Sequence, residues 1–134
     1  MARDIVHEII REVLIMETLS DKIKTRQEIL SKYFKNLATE RNQSLGSTKD
    51  YAAVVDLEDN HFILIRNGWT EQGFSYKVLL HLDINPNTGN IWVQQNNTEI
   101  LPDEDLSPKG LHRSDFVIGF RPAWMRGQAG FAAA

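Results

Sequence analysis

The chain has 134 residues, of which 42% are apolar and 25% charged, the proportions of an ordinary globular protein with one domain. It contains no cysteine, which excludes disulfides, thiolate nucleophiles and thiolate-ligated zinc or iron–sulfur sites. The formal net charge of −3 argues against a strongly basic nucleic-acid-binding domain. No apolar run is long enough to span a membrane and no signal peptide is visible at the start, so we expect a cytoplasmic protein.

The first third of the chain has a helical pattern. Residues 4–41 contain no Pro or Gly, and their apolar residues recur three or four positions apart in two stripes. The stripes are Ile5, Ile9, Ile10, Val13, Leu14 and Met16, and then Ile23, Leu30, Tyr33, Phe34, Leu37 and Ala38. Two capping-box patterns lie between them, Thr18 with Asp21 and Thr25 with Glu28. They favour two helices that meet near 17–25, although one long helix also fits.

From Tyr51 onward the apolar period changes to two. This pattern predicts strands over residues 51–57, 61–66, 74–84, 91–95 and 116–120, separated by turns such as 85–89. Helices followed by consecutive hairpins indicate an α+β domain, with the N-terminal helix or helices packed on one face of a mainly antiparallel sheet. On the long third strand, alternation places Val78, Leu80, Leu82 and Ile84 on one face and Lys77, Leu79, His81 and Asp83 on the other.

The pair most typical of an enzyme is His81 and Asp83, which point to the same side of one strand. A carboxylate beside an imidazole can prepare a general base, or the two can bind a metal. A partly wetted polar sheet face explains the same spacing. His61, Gln94 and Gln95 lie on neighbouring strands, but their register cannot be inferred from the sequence. No nucleophile elbow, phosphate loop, dinucleotide fingerprint or His-Glu-x-x-His motif occurs. We therefore expect no metal, no cofactor and no catalytic residues beyond the weak candidates His81 and Asp83.

Aromatic residues and arginines form the second group of candidates. The tail places Trp124 between Arg121 and Arg126, and Trp69 and Trp92 lie at or in predicted strands. Such residues are enriched at protein interfaces, and when interleaved with many basic residues they stack on bases. The few arginines nearby favour packing or contacts with a protein partner. The candidate partner-binding residues are Trp69, Trp92, Arg121, Trp124 and Arg126.

Several segments resemble the fdxN element excision controlling factor family, called XisI. They are residues 60–62, 67–69, 81–84, 89–99, 110, 114–120 and 130–134. The resemblance implies an α+β fold with one N-terminal helix and a mainly antiparallel sheet. It also implies a cyanobacterial protein associated with programmed excision of a DNA element, together with a companion called XisH and a separate recombinase. The family supplies no catalytic residues.

The start of the chain has a different resemblance. Residues 2–10 are similar to the opening helix of the companion XisH family, which suggests a helix appended at residues 1–16 to a single XisI-like domain at 17–134. An ordinary amphipathic helix with chance similarity is the alternative. In either case the apolar stripe must be buried against its own domain or against a second chain, and we predict a homo-oligomer.

These patterns leave three hypotheses about function. The first is an accessory factor in DNA excision that binds an XisH-like protein, associates with DNA only indirectly and has no catalytic activity of its own. The second is a small metal-dependent or hydrolytic enzyme that uses His81 and Asp83. The third is a factor that binds DNA directly.

Overall fold

The computed structural model describes residues 2–44, 46 and 49–134, except for the side chains of residues 2, 3 and 14–17. One helix, α1, runs from Ala2 to Ser44. The predicted break near 17–25 is therefore wrong. This segment contains no Pro or Gly, so hydroxyl and acidic residues suited to a helix start are accommodated inside a longer helix. At 1.5 Å per residue, α1 is about 65 Å long.

Five strands form one sheet: β1 (Tyr51–Asp56), β2 (His61–Thr70), β3 (Gly73–Ile84), β4 (Ile91–Asn96) and β5 (Phe116–Ile118). They are arranged in the order β1-β2-β3-β4-β5, with every pair antiparallel except β4 and β5. The α+β prediction is confirmed. Between β4 and β5 the chain forms the short helix α2 (Pro102–Asp105) and two 3-10 turns, and α3 (Ala123–Arg126) follows β5.

The second strand is longer than the sequence predicts. We expected it to end before Asn67 and Gly68, a typical turn pair, but both residues continue the ladder opposite Tyr76 and Ser75. A Cβ atom at Gly68 would lie 2.5 Å from the Cγ atom of Asp50. The Asp50 side chain occupies the space beside Gly68, so a larger residue there would have to displace that carboxylate.

The hydrophobic core lies between the second half of α1 and one face of the sheet. Leu30, Phe34 and Ala38 project from the helix onto buried residues of the strands. Leu80, Leu82 and Ile84 are buried and His81 and Asp83 lie on the other face, as predicted. The prediction is wrong for Leu79, which packs against the core, and for Val78, which does not, because the pairing with β2 shifts register between Leu64 and Ile65. The sheet therefore has a second, outer face that α1 does not cover.

The first half of α1 has no such packing. The five apolar side chains described there remain 48–59% exposed, so they are not buried against their own domain. We call this set the N-terminal stripe: Ile5, Val6, Ile9, Ile10 and Val13. Leu14 and Met16 of the predicted stripe lie outside the described side chains. Among the described residues, no helix combines the length and the apolar character that crossing a membrane requires.

A buried arginine fixes the middle of α1 to the rest of the domain. Arg26 is 7% exposed and donates hydrogen bonds to the carbonyl of Gly89 and to Asp115 Oδ1, the latter at 2.9 Å. Burial alone would raise the pKa of Asp115, but the backbone N–H of His112 and the guanidinium of Arg26 hold it below its usual range. The sequence patterns did not single out Arg26.

Candidate functional site

The outer face of the sheet brings three chemically versatile side chains together. His61 on β2 lies directly opposite Asp83 on β3, and His81 lies two residues before Asp83 on the same face. The predicted pair is therefore joined by His61, which the register of β2 and β3 supplies. One ligand atom from each of the three side chains lies within 4.8 Å of those from the other two. We call these residues the histidine cluster.

Hydrogen bonds within the cluster follow an unexpected pattern. His61 Nδ1 lies 3.1 Å from His81 Nε2, so one ring donates a hydrogen bond to the other. His61 Nδ1 also lies 3.9 Å from Asp83 Oδ2. The amide of Gln94 on β4 is 3.2 Å from both carboxylate oxygens of Asp83 and donates to them. The amide of Gln95, in contrast, donates to the carbonyl of Val78.

The electrostatics around His81 favour its neutral imidazole. Partial burial lowers the pKa of His81; the carboxylate of Asp83 opposes that change, and His61 adds to it. The His61 side chain is 41% exposed and that of Asp83 is 23% exposed, so the cluster is reached from solvent.

This arrangement differs from the one that the enzyme hypothesis requires. A histidine base is usually oriented by a carboxylate that accepts a hydrogen bond from its ring. On this face, hydrogen bonds instead join His81 to His61 and Asp83 to Gln94. A groove of about 300 Å³ lies elsewhere, along α1, where Tyr33 donates to Asp105 and burial together with that acceptor raises the tyrosine pKa. His61 supplies the third polar group beside His81 and Asp83. None of these three residues lines the groove along α1.

Two of the predicted partner-binding residues are prominent on the surface. Trp69 is 78% exposed and Trp124 is 77% exposed. Trp69 does not stand alone, because it pairs across the β2–β3 hairpin with Phe74, at a ring distance of 5.4 Å. Tyr76, two residues further along β3, is 67% exposed on the same side. We call Trp69, Phe74 and Tyr76 the hairpin patch.

Trp92, Arg121 and Arg126 are placed differently. The guanidinium of Arg126 lies 5.0 Å from the centre of the half-buried Trp92 ring and donates to the carbonyls of Arg121 and Gly119. These residues hold the C-terminal segment on the outer face of the sheet. Arg121 itself is half-buried.

Phe74 and Tyr76 were not among the predicted contact residues. The signal that identifies them is present in the sequence, because aromatic residues at alternate positions beside a turn share one face of a hairpin. The prediction named tryptophans as contact residues because tryptophan is especially enriched at protein interfaces.

Comparison with known proteins supports one family. The family model described as "XisI protein" matches residues 20–133. The fold is similar to a crystal structure of a XisI-like protein from Anabaena variabilis, with 30% sequence identity, a TM-score of 0.65, and 84% of this chain and 99% of that chain covered. It is also similar to the fdxN element excision controlling factor XisI from the same organism, with 25% identity, a TM-score of 0.60, and 87% and 98% of the two chains covered. Among curated proteins, none matches.

Proposed function

The chain belongs to the XisI family, whose member from Anabaena variabilis is named as an excision controlling factor, and on this premise we propose that it is a non-catalytic accessory factor in DNA element excision. It acts by binding a protein partner with the fold of the XisH family. The family match over residues 20–133 carries this proposal. The predicted division into an appended helix at 1–16 and a domain at 17–134 stays a prediction.

We assign the partner-binding surface to the hairpin patch. Its three aromatic side chains are each more than half exposed and stand together, so water surrounds a contiguous apolar area. Tryptophan and tyrosine contribute most to binding energy when a partner desolvates them. This surface therefore offers a larger gain on association than the isolated Trp124.

Charge placement supports a protein partner over direct DNA binding. Many arginines are already engaged inside the domain, in ion pairs or over aromatic rings. These are Arg26, Arg41, Arg66, Arg113 and Arg126. Phosphate contacts would require cations directed outward, and they would make DNA affinity fall steeply with salt.

The experiment is co-expression of the full chain with an XisH-like protein, followed by affinity capture and measurement of the dissociation constant. We expect a complex at micromolar concentration, and at least about tenfold weaker binding for Trp69→Ala, a typical effect of removing a central aromatic contact. Trp124→Ala is the matched control, because it removes an equally exposed tryptophan from another segment.

Absence of a complex at micromolar concentration would contradict the proposal. Weakening by Trp124→Ala alone would disprove the assignment to the hairpin patch. Salt-sensitive binding of duplex DNA by the chain alone, without any protein complex, would favour the direct DNA-binding hypothesis instead.

We further propose that the N-terminal stripe binds a second copy of this chain. The argument is charge complementarity in an antiparallel helix pair whose two-fold axis lies between His7 and Glu8. In that register each apolar residue opposes an apolar residue and each charged residue opposes the opposite charge or a histidine. The opposed positions are Asp4 with Arg11, Ile5 with Ile10, Val6 with Ile9, and His7 with Glu8.

A parallel pair in register would place like charges opposite each other at Asp4, Glu8 and Arg11. The antiparallel homodimer is therefore the arrangement that both buries the stripe and satisfies its charges.

A further inference from the structure

We infer that the histidine cluster is a binding site for a divalent transition metal ion of the zinc class, with His61, His81 and Asp83 as ligands. The sequence alone predicted no metal, because a pair two residues apart on one strand supplies only two ligands. The register of β2 against β3 adds the third. Two imidazoles and one carboxylate are a ligand set that zinc and its neighbours in the first transition series accept.

The separations suit a shared ion. Metal–nitrogen and metal–oxygen bonds of about 2.0–2.2 Å place neighbouring ligand atoms roughly 2.8–3.6 Å apart in octahedral or tetrahedral geometry. His61 Nδ1 and His81 Nε2 are 3.1 Å apart. Asp83 Oδ2, at 3.9 Å from His61 Nδ1, needs a shift of less than 1 Å, which rotation of its side chain provides.

The surroundings also fit a metal site. Gln94 donates to both carboxylate oxygens of Asp83 and so orients the ligand, a role that outer hydrogen-bonding partners have in metal centres. Gly119 leaves room for this amide, since a Cβ atom at that position would lie 3.0 Å from Gln94 Oε1. The ring nitrogens that would bind the ion, His61 Nδ1 and His81 Nε2, face each other and Asp83.

Three protein ligands leave at least one coordination position open. The cluster lies on a half-exposed sheet face, so that position is accessible to water or to a side chain from another protein. Metal binding at this site would therefore be a property in addition to the proposed excision role and to the partner-binding hairpin patch.

The test uses the full chain, freed of metal by a chelator and titrated with Zn²⁺ by calorimetry and with Co²⁺ by visible absorption. We expect saturable binding of one ion per chain and Co²⁺ bands typical of nitrogen and oxygen ligands. His81→Gln and Asp83→Asn each lower the affinity at least about tenfold. His61→Gln serves as the third ligand variant, because its exposed ring is the least involved in packing.

The control is the double variant His7→Gln and His112→Gln, which removes the other two histidines and keeps the cluster. It must bind as the unaltered chain does. Thermal unfolding in metal-free buffer verifies that each variant is folded. No saturable binding below about 100 μM, or equal affinity in the folded ligand variants, would overturn the inference; the metal would then be absent or bound elsewhere.

Discussion

The two halves of α1 have the same kind of sequence and opposite surroundings. In the second half, Leu30 and Phe34 are completely buried against the sheet, whereas Ile5 and Ile9 in the first half are more than half exposed. The cause is geometric. A helix of about 65 Å extends beyond a sheet of five strands, which is only about 25 Å wide at 4.8 Å per strand. Periodicity therefore determines which helix face is apolar, but not whether the same chain covers it.

The largest effect should come from a substitution in the covered half. Phe34→Ala removes a fully buried ring that contacts Tyr33 and Phe62, and we expect it to lower the free energy of unfolding by about 3–5 kcal/mol. Chemical denaturation of both proteins measures the difference. Ile9→Ala is the matched substitution in the uncovered half, with an expected change below about 0.5 kcal/mol at concentrations where the chain is monomeric. Equal losses would show that the two halves are not distinct.

A smaller effect should follow from removing the ion pair between Arg26 on α1 and Asp115. Asp115→Asn removes the carboxylate that Arg26 requires, and we expect a loss of about 2 kcal/mol at pH 7. The pKa of Asp115 is lowered by folding, so the stabilisation is present above the ordinary carboxyl pKa and is lost as the pH falls through the folded value.

The difference between Asp115→Asn and the unaltered chain should therefore shrink as the pH falls below about 4. Denaturation curves at several pH values between 7 and 2 measure it. A difference that stays constant over this range would contradict the assigned ion pair.

The smallest effect on domain stability should come from the N-terminal stripe. Ile5→Asp with Ile9→Asp places charges on the apolar surface of the proposed helix pair, and we expect the homodimer to dissociate while the unfolding free energy of the domain changes by less than about 1 kcal/mol. Light scattering of both proteins gives the oligomeric state. Asn87→Asp with Gln128→Asp is the control, because it adds the same two charges at exposed positions outside the stripe. A monomer at every concentration of the unaltered chain would disprove the self-association.

Much of the fold could be predicted because local rules act consistently along the sheet. Alternation in β3 correctly separated Leu80 and Leu82 from His81 and Asp83, and consecutive hairpins indicated the antiparallel order. The unbroken helix was only the alternative prediction, because capping residues favour a helix start without forbidding a helix interior. The expected end of β2 before Asn67 and Gly68 is wrong because both residues continue the ladder with β3, and the Asp50 side chain lies beside Gly68.

The candidate site could be predicted only in part. The sequence gives the shared side of His81 and Asp83, but His61 joins them through pairing between strands, which depends on irregularities such as the register shift at Leu64 and Ile65. Arg26 could not be identified because its partners, Gly89 and Asp115, are distant in the sequence. A lone arginine on a helix resembles any solvated charge.

The overhang of α1 also sets a distance. In the proposed antiparallel dimer the axis lies near residue 7, and Leu30 marks the packed part of the helix about 34 Å away at 1.5 Å per residue. Two domains would then stand at opposite ends of a rod, about 70 Å apart. This spacing corresponds to about two turns of duplex DNA. In such a dimer, the length of α1 would set the distance between two bound partner molecules. That distance would match the spacing of two DNA sites about two helical turns apart.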